Sequence, residues 1–285
     1  MPSPNFFIIG AQKAGSSWLA ANLGEHPDVY VAGPEIHYFD KDFNYARGIE
    51  WYESHFADAG GASRVGEKTP DYLWAEGQGC EGHMPDVHKK LHGAYPDAQL
   101  IVVLRNPVER AVSAVNHIVR SLRISPVHRL DDLLLGRKKH LIEGHGCLEM
   151  GMYLDQILEY QKLFPPERFL FLIFEEDILK TPEETMAKVC RFLDIDPDHT
   201  FANLNRRINE FNRSFLGLLT DYYTTNGFLR KLSWRVDQAR VLPINKKKPS
   251  PRALEALYAH YSEANERLFE FLGRRPSSWL APDAG

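Results

Sequence analysis

The sequence predicts a three-layer α/β/α fold with a central parallel sheet, and three observations lead to it. Short, continuously apolar runs stand at Phe6–Ile9, Leu100–Leu104 and Phe169–Phe174, the pattern of parallel strands covered on both faces. Helical patterns alternate with and follow them. Met186, Val189, Cys190 and Leu193 share one face, as do Leu254, Leu257, Tyr258, Tyr261 and Leu268, each at the three-to-four-residue spacing of an amphipathic helix. Finally, the first apolar run passes straight into a glycine-flanked loop, residues 10–15, and then into a short helical pattern reaching Leu23. Strand, glycine loop and helix in that order make a P-loop-like phosphate-binding turn.

Taken in chain order, Phe6–Ile9 is the first core strand. It is far too short for a signal h-region or a membrane span, and no basic leader precedes it. The expectation is a soluble, cytoplasmic protein with no membrane span. Three cysteines, Cys80, Cys147 and Cys190, are too few for a disulfide framework and lack the paired spacing of a zinc site. With 34 Lys and Arg against 38 Asp and Glu, the formal charge is -4, so no global basic field recruits nucleic acid or an acidic membrane, and any anion site is local. The length of 285 residues suits one domain spanning 1–285. Segments 75–96, rich in Gly and His, and 203–251, polar and ending in a basic cluster, read as loops or lids. The histidines between His83 and His92 form the one near-cluster for a metal; a solvated loop explains them more simply, and no metal site is expected.

The loop Gly10-Ala11-Gln12-Lys13-Ala14-Gly15-Ser16-Ser17-Trp18-Leu19 departs from a Walker loop. There, lysine follows the second glycine directly and a Ser or Thr then holds magnesium. Here Ser16 takes the lysine position, and the lysine sits inside the loop as Lys13. Its ammonium can reach the bridging oxygen of a phosphate-linked leaving group, which favours anion binding with no obligatory metal. A surface turn with a chance lysine is the alternative.

A second anion motif follows the run Leu100–Leu104, which ends in Arg105-Asn106-Pro107. Pro107 suits the first turn of a helix. Arg105 therefore stands at the carboxyl end of a strand, where open α/β sheets bind ligands, and Ser113 lies about two turns along the helix. Arg105 offers a planar fork to a phosphate and Ser113 a hydroxyl. The competing reading pairs Arg105 with Glu109 in a purely structural contact. A kinase would show an acidic residue near such a strand end to organise magnesium; this strand ends in arginine.

Glu35 and His37 are two apart, so an extended segment directs both to one face. As a pair they suit proton transfer if the carboxylate is well placed; otherwise they are a surface acid and a satisfied histidine. Trp18, Tyr72, Trp74 and Tyr153 suit an aromatic pocket or the core. Arg120, Arg123, Arg206 and Arg207 suit an acceptor groove or a solvated face.

Four ordered motifs carry a family resemblance: Gly10–Leu19, Glu35-Ile36-His37-Tyr38-Phe39, Glu67-Lys68-Thr69-Pro70, and the run from Arg105 to Ser113. Smaller echoes are Gly48-Ile49-Glu50-Trp51-Tyr52, Gly151-Met152-Tyr153 and Ser278-Trp279-Leu280. The chain resembles the sulfotransferases that use 3'-phosphoadenosine 5'-phosphosulfate (PAPS), most closely the heparan sulfate branch and its bacterial relatives. The resemblance implies that Lys13, Ala14, Gly15, Ser16, Ser17 and Trp18 hold the 5'-phosphosulfate. Arg105, Ser113, Tyr153 and the basic segment Lys246-Lys247-Lys248 then belong to the 3'-phosphate and nucleotide side. The heparan branch has Lys-Gly-Arg and a disulfide loop at that segment, and this chain has neither.

The implied reaction moves a sulfuryl group in line onto a hydroxyl or amine of a carbohydrate or other small-molecule acceptor. Glu35 is the general base, Lys13 stabilises the leaving phosphate, His37 orients the acceptor or shares the proton, and Lys68 adds positive charge. Two readings compete: a small-molecule kinase with an altered phosphate loop, and a non-catalytic nucleotide-binding module.

Overall fold

A computed structural model describes residues 2–77, 82–206, 213–240, 242–244 and 246–281. Its strands are β1 (Phe6–Gly10), β2 (Val29–Ala32), β3 (Arg64–Lys68), β4 (Gln99–Leu104) and β5 (Phe169–Ile173). Helices of eight residues or more are α1 (Ser16–Leu23), α2 (Val87–Ala94), α3 (Pro107–Arg120), α4 (Tyr153–Gln161), α5 (Pro182–Phe192), α6 (Phe215–Tyr223), α7 (Gly227–Gln238) and α8 (Pro251–Leu272).

The five strands form one sheet in the order β2-β3-β1-β4-β5, with every pairing parallel. Phe6, Phe7, Ile8 and Ile9 are wholly buried, as a central strand covered on both faces requires. Removing each such side chain from water stabilises the fold by about 1.5–3 kcal/mol. From β1 the chain builds β2 and β3 on one side, then crosses to build β4 and β5 on the other. Strand order thus reverses between β1 and β4, and the crevice at their carboxyl ends receives the loop after β1 and the turn after β4, the usual ligand position of such sheets.

One core surrounds the sheet; a second joins α3, α6 and α8 to residues 130–148. The helix ends follow from the sequence. Asn106 caps α3 by accepting from Val108 N at 3.0 Å, with Pro107 in the first turn. Ser250 caps α8 from Ala253 N at 3.2 Å, with Pro251 behind it and a left-handed Gly273 at the end.

The three apolar runs are strands to within a residue at each end. Strand β2 is apolar but short, and β3 gives little apolar signal. The first is a four-residue edge strand, and the second reads Arg-Val-Gly-Glu-Lys. Its glycine is obligatory: a Cβ on Gly66 would meet the Phe6 carbonyl oxygen at 2.2 Å. Its acid, Glu67, is wholly buried and accepts hydrogen bonds from Tyr52 at 2.7 Å, Thr69 at 2.7 Å and Tyr72 at 3.0 Å. Segment 75–96 carries α2, and 203–251 carries the hairpin of α6 and α7, so neither is the plain loop that its composition suggests. The His83 and His88 side chains are buried in place of solvated: the His83 ring lies 2.9 Å from the Trp74 carbonyl, and His88 packs near Tyr160. Cys147 and Cys190 are buried and in no disulfide among the described residues; Cys80 and Arg207 lie outside the described residues.

Candidate active site

The loop after β1 turns on two left-handed residues, Lys13 at φ 68° and Gly15 at φ 101°. A Cβ on Gly15 would also meet the Phe174 ring at 2.7 Å, so glycine alone fits at the start of α1. Left-handed φ at a non-glycine residue costs on the order of 1 kcal/mol and concentrates at functional sites. It lifts the Lys13 carbonyl to Arg105, whose Nη1 donates to it at 3.0 Å. The two anion motifs are therefore physically joined.

Arg105 also lies 3.6 Å from Glu109 and 3.9 Å from Glu175, with its guanidinium 5.1 Å from the centre of the Phe174 ring. The Glu109 contact expected of a structural arginine is present, and so is the link to the phosphate loop. Its Nε is buried with no hydrogen-bond partner. Glu175 is held by Trp279 Nε1 at 3.0 Å, and Tyr153 donates to the Arg105 carbonyl at 2.8 Å. Tyr153 is buried in the core and acts on the site through that carbonyl. Trp18 is buried too, its indole donating to the Leu204 carbonyl at 2.9 Å. Ala14 is buried inside the loop, Ser16 is buried at the start of α1, and Ser17 is half-buried beside it.

Lys68, at the end of β3, spans the two halves of the site. Its ammonium donates to Ser17 Oγ at 3.4 Å and to the Glu35 carboxylate. On the other side of Glu35, His37 Nε2 lies 3.4 Å from Oε2, and His37 Nδ1 lies 2.9 Å from the buried Asp40 carboxylate. Glu35 and His37 meet, though by another route than strand alternation: His37 is left-handed at φ 52°, and residues 33–37 form no strand.

Burial pushes the Glu35 carboxyl up, but the hydrogen bond from His37 and the Lys68 charge prevail and hold it down at about 2. Burial lowers His37, yet the hydrogen bonds to Asp40 and Glu35 win, with the Asp40 charge behind them, and raise it to about 10. At neutral pH the pair is carboxylate and imidazolium. Lys13 is lowered to about 8 by burial and then by the Arg120 charge, against the pull of Glu35, with Arg105 and Lys68 adding to the depression.

Ser113, His117 and Arg120 form the less buried stripe of α3. Arg120 Nη2 and His117 Nδ1 are 3.3 Å apart. Burial, then the charges of Lys13, Arg120 and Arg123, hold His117 down at about 4. Lys13, Arg120, Arg105 and Lys68 thus crowd positive charge around the glycine loop. Such a cluster, with an Arg105 Nε inside it that makes no hydrogen bond, fits an anionic group of more than one charge.

The segment with Lys246, Lys247 and Lys248 lies against α3 one turn past Ser113. Asn116 accepts from Lys247 N at 2.8 Å and donates to its carbonyl at 3.0 Å. The Lys247 ammonium donates to the Pro126 carbonyl at 2.6 Å, while Lys246 and Lys248 are exposed. Lys247 and Lys248 line a pocket of about 290 Å³ with Arg129 and Asp131.

The family model for the sulfotransferase domain matches residues 3–215. The chain belongs to the sulfotransferase family. Heparan sulfate glucosamine 3-O-sulfotransferase 6 of Mus musculus is 28% identical over 276 residues, 95% of this chain and 72% of that protein. Membrane-associated sulfotransferase kil1 of Dictyostelium discoideum is 34% identical over 124 residues, 42% of this chain and 24% of that one. Among solved structures, a sulfotransferase from Alicyclobacillus acidocaldarius matches the fold with a TM-score of 0.71 at 24% identity, covering 98% of this chain and 99% of that one. This sulfotransferase is accordingly a PAPS-dependent enzyme with the heparan sulfate branch among its relatives.

Sequence reading missed Asp40, Glu67 and His117 in this sulfotransferase. Asp40 follows His37 by three residues, a spacing that a tight turn brings together, and this was the available signal. Glu67 reads as solvated until its three hydroxyl donors are in place. His117 and Arg120 follow Ser113 at helical spacing, four and three residues on, so the stripe was visible once α3 was assigned. Among the described residues, His37, Asp40 and Asp71 bring ligand-type atoms within 4.8 Å of one another, as do Glu76, Asp86 and His88. In the first group His37 already holds a proton at neutral pH, which a metal would have to displace. No helix among the described residues is long and apolar enough to cross a membrane.

Proposed function

We propose that this sulfotransferase transfers the sulfuryl group to a hydroxyl or amine of a carbohydrate or other small acceptor by in-line displacement, with Glu35 as general base and Lys13 on the leaving group. The single observation that carries the reading is the position of Lys68, which touches the phosphate loop through Ser17 and the proposed base through Glu35.

Bound PAPS supplies the sulfuryl group and leaves as adenosine 3',5'-bisphosphate. The loop from Lys13 to Trp18, with backbone N–H groups at the start of α1, receives the 5' side. Arg105, Ser113 and the segment Lys246–Lys248 receive the 3'-phosphate. Lys13, strained and lowered to about 8 by burial and then by its cationic neighbours, keeps its charge at pH 7 and gains most when negative charge develops beside it, so its contribution rises toward the transition state. Ionised Glu35 accepts the proton of the acceptor. It becomes an effective base when the acceptor hydroxyl takes the place of Lys68 at its carboxylate and removes the charge that depresses its proton affinity. His37, fixed by Asp40, orients Glu35 and keeps the local charge balanced. No metal is assigned a role.

The heparan sulfate relatives support a carbohydrate acceptor.

The test is transfer from radiolabelled PAPS to a panel of sugars, phenols and amines, with and without EDTA, alongside calorimetric titration of adenosine 3',5'-bisphosphate. The expected result is EDTA-resistant transfer that Glu35→Gln abolishes. Failure to bind the bisphosphate at millimolar concentration overturns the reading. Magnesium-dependent ATP binding tighter than bisphosphate binding would turn it toward a kinase.

A further inference from the structure

The hairpin of α6 and α7 presents a surface unlike the rest of the chain. Its turn end carries Tyr222, Tyr223, Phe228 and Leu229, exposed by 37%, 64%, 74% and 44%. Leu232 and Trp234, 48% and 55% exposed, follow within the next turns of α7. Helix α6 is amphipathic with its larger apolar side outward: Gly217 and Leu218 are buried, while Phe215 and Tyr222, and Leu216 and Tyr223, repeat at a spacing of seven on the side facing water. Burying rings and leucines is strongly favourable, and a cluster of them left exposed marks an interaction surface.

The charges of the hairpin are sorted as well. Residues 213–240 contain two acids, Asp221 and Asp237, and both point inward, 10% and 0% exposed. Arg213 Nη2 donates to Asp221 at 2.6 Å and Arg213 Nε to Asp237 at 2.7 Å. Ser233 Oγ and Ser214 N complete their coordination at 2.9 Å and 3.1 Å. Outside lie Arg230, Lys231 and Arg235, all exposed, with Arg230 Nε 4.0 Å from Asp221. Phe228, Leu232 and Arg235 follow at spacings of four and three and share a face. On a chain of net charge -4, this is a local cationic and aromatic island.

We propose that the hairpin docks this protein on an anionic lipid bilayer surface, the apolar turn end entering the interface and Lys231, Arg235 and Arg230 meeting headgroup phosphates. Arg235 lies seven residues beyond Phe228, about 10 Å along α7, which places cations at headgroup depth when the tip sits at the acyl boundary. A second copy of the chain would bring the same cations with no exposed acid from its hairpin to meet them. A nucleic acid would satisfy the cations and leave Phe228, Leu229 and Leu232 without an apolar partner. The bilayer satisfies both. The charge is local, so it is compatible with the acidic balance of the whole chain. The inference does not rest on the assignment of Glu35 or Lys13.

The test is co-sedimentation of the full chain with vesicles of phosphatidylcholine alone and of phosphatidylcholine mixed with phosphatidylglycerol, with tryptophan emission followed in parallel. Expected are binding to the anionic vesicles, weak binding to the neutral ones, release by salt, and a blue shift that Trp234→Phe removes. Each cation near an anionic surface strengthens binding roughly fivefold, so Lys231→Ala with Arg235→Ala weakens it by about 25-fold. Phe228→Ser and Leu232→Ser each cost roughly tenfold. Bisphosphate affinity and melting temperature stay at wild-type values in these variants, which separates lost docking from lost folding. Absence of binding, equal binding to both vesicle types, or wild-type binding by the variants overturns the proposal. So does a lipid-free dimer, measured by light scattering, that Phe228→Ser dissociates, or binding of single-stranded DNA as tight as that of the anionic vesicles.

Discussion

Replacing Lys13 with methionine keeps the length of the side chain and removes its charge, and the site geometry predicts opposite effects on stability and turnover. In the folded protein, burial and the Arg120, Arg105 and Lys68 charges bring Lys13 to about 8 from an ordinary 10.5. The charged form is therefore disfavoured by folding. At about 1.4 kcal/mol per pH unit this is at most ~3 kcal/mol, and solvent screening at a half-buried ammonium reduces it to roughly 1–2 kcal/mol. The sign follows from proton counting. Between about pH 8 and 10.5 the unfolded chain binds more protons at this lysine than the folded one, so stability rises with pH across that window. Below pH 8 the full penalty applies.

Lys13→Met should thus melt about 2–8 °C higher than wild type at pH 7, given the ~2–4 °C that each kcal/mol is worth in a chain of this size, and should lose the contribution of this lysine to the rise above pH 8. Turnover should fall by about 10²–10³, the usual cost of removing one preorganised group from developing negative charge. Differential scanning fluorimetry from pH 6.5 to about 10.5, with single-turnover transfer from PAPS, measures both. A lower melting temperature together with turnover within threefold of wild type would refute the reasoning.

Further outcomes follow from the same geometry. Glu35→Gln should lower kcat by about 10²–10⁴ and leave the bisphosphate Kd within twofold, as read by calorimetry. Arg105→Ala should weaken bisphosphate binding by roughly thirtyfold or more, with a smaller loss in kcat because the Lys13 carbonyl is released; a loss confined to kcat would contradict its place on the donor. Asp40→Asn removes the carboxylate charge and weakens the hydrogen bond that, with Glu35, raise His37 to about 10. The wild-type contribution is fully present below pH 6.5 and fades as pH rises toward 10, so the variant should be less stable by roughly 1–3 kcal/mol near neutrality and should match wild type above pH 10, in urea melts at several pH values.

The parts of the fold visible in the sequence are those where one residue type carries one signal. Phe6–Ile9 has the pattern of a covered strand, and Asn106-Pro107 suits the start of a helix. Strand β3 was hidden because its core-facing acid, Glu67, is made tolerable by Tyr52, Thr69 and Tyr72, two of which lie outside its four-residue motif. Helices α6 and α7 were hidden because apolar residues that face water lack the inward periodicity that marks a helix. In the site, Lys13, Glu35, His37, Lys68 and Arg105 come together. The Asp40 hydrogen bond and the Arg105–Lys13 link depend on left-handed turns at His37 and Lys13, which the sequence does not announce.

The contact of Lys68 with Glu35 bears on what the enzyme does when no acceptor is present. Water is always at hand as a rival nucleophile, and a carboxylate free to activate it would squander the activated sulfate. With the ammonium of Lys68 against its oxygen, Glu35 has little appetite for a proton from water. An acceptor large enough to displace that ammonium brings binding energy that a water molecule lacks. On this reading the ion pair works as a safety catch against futile donor hydrolysis, and it ties the readiness of the base to the arrival of its proper partner.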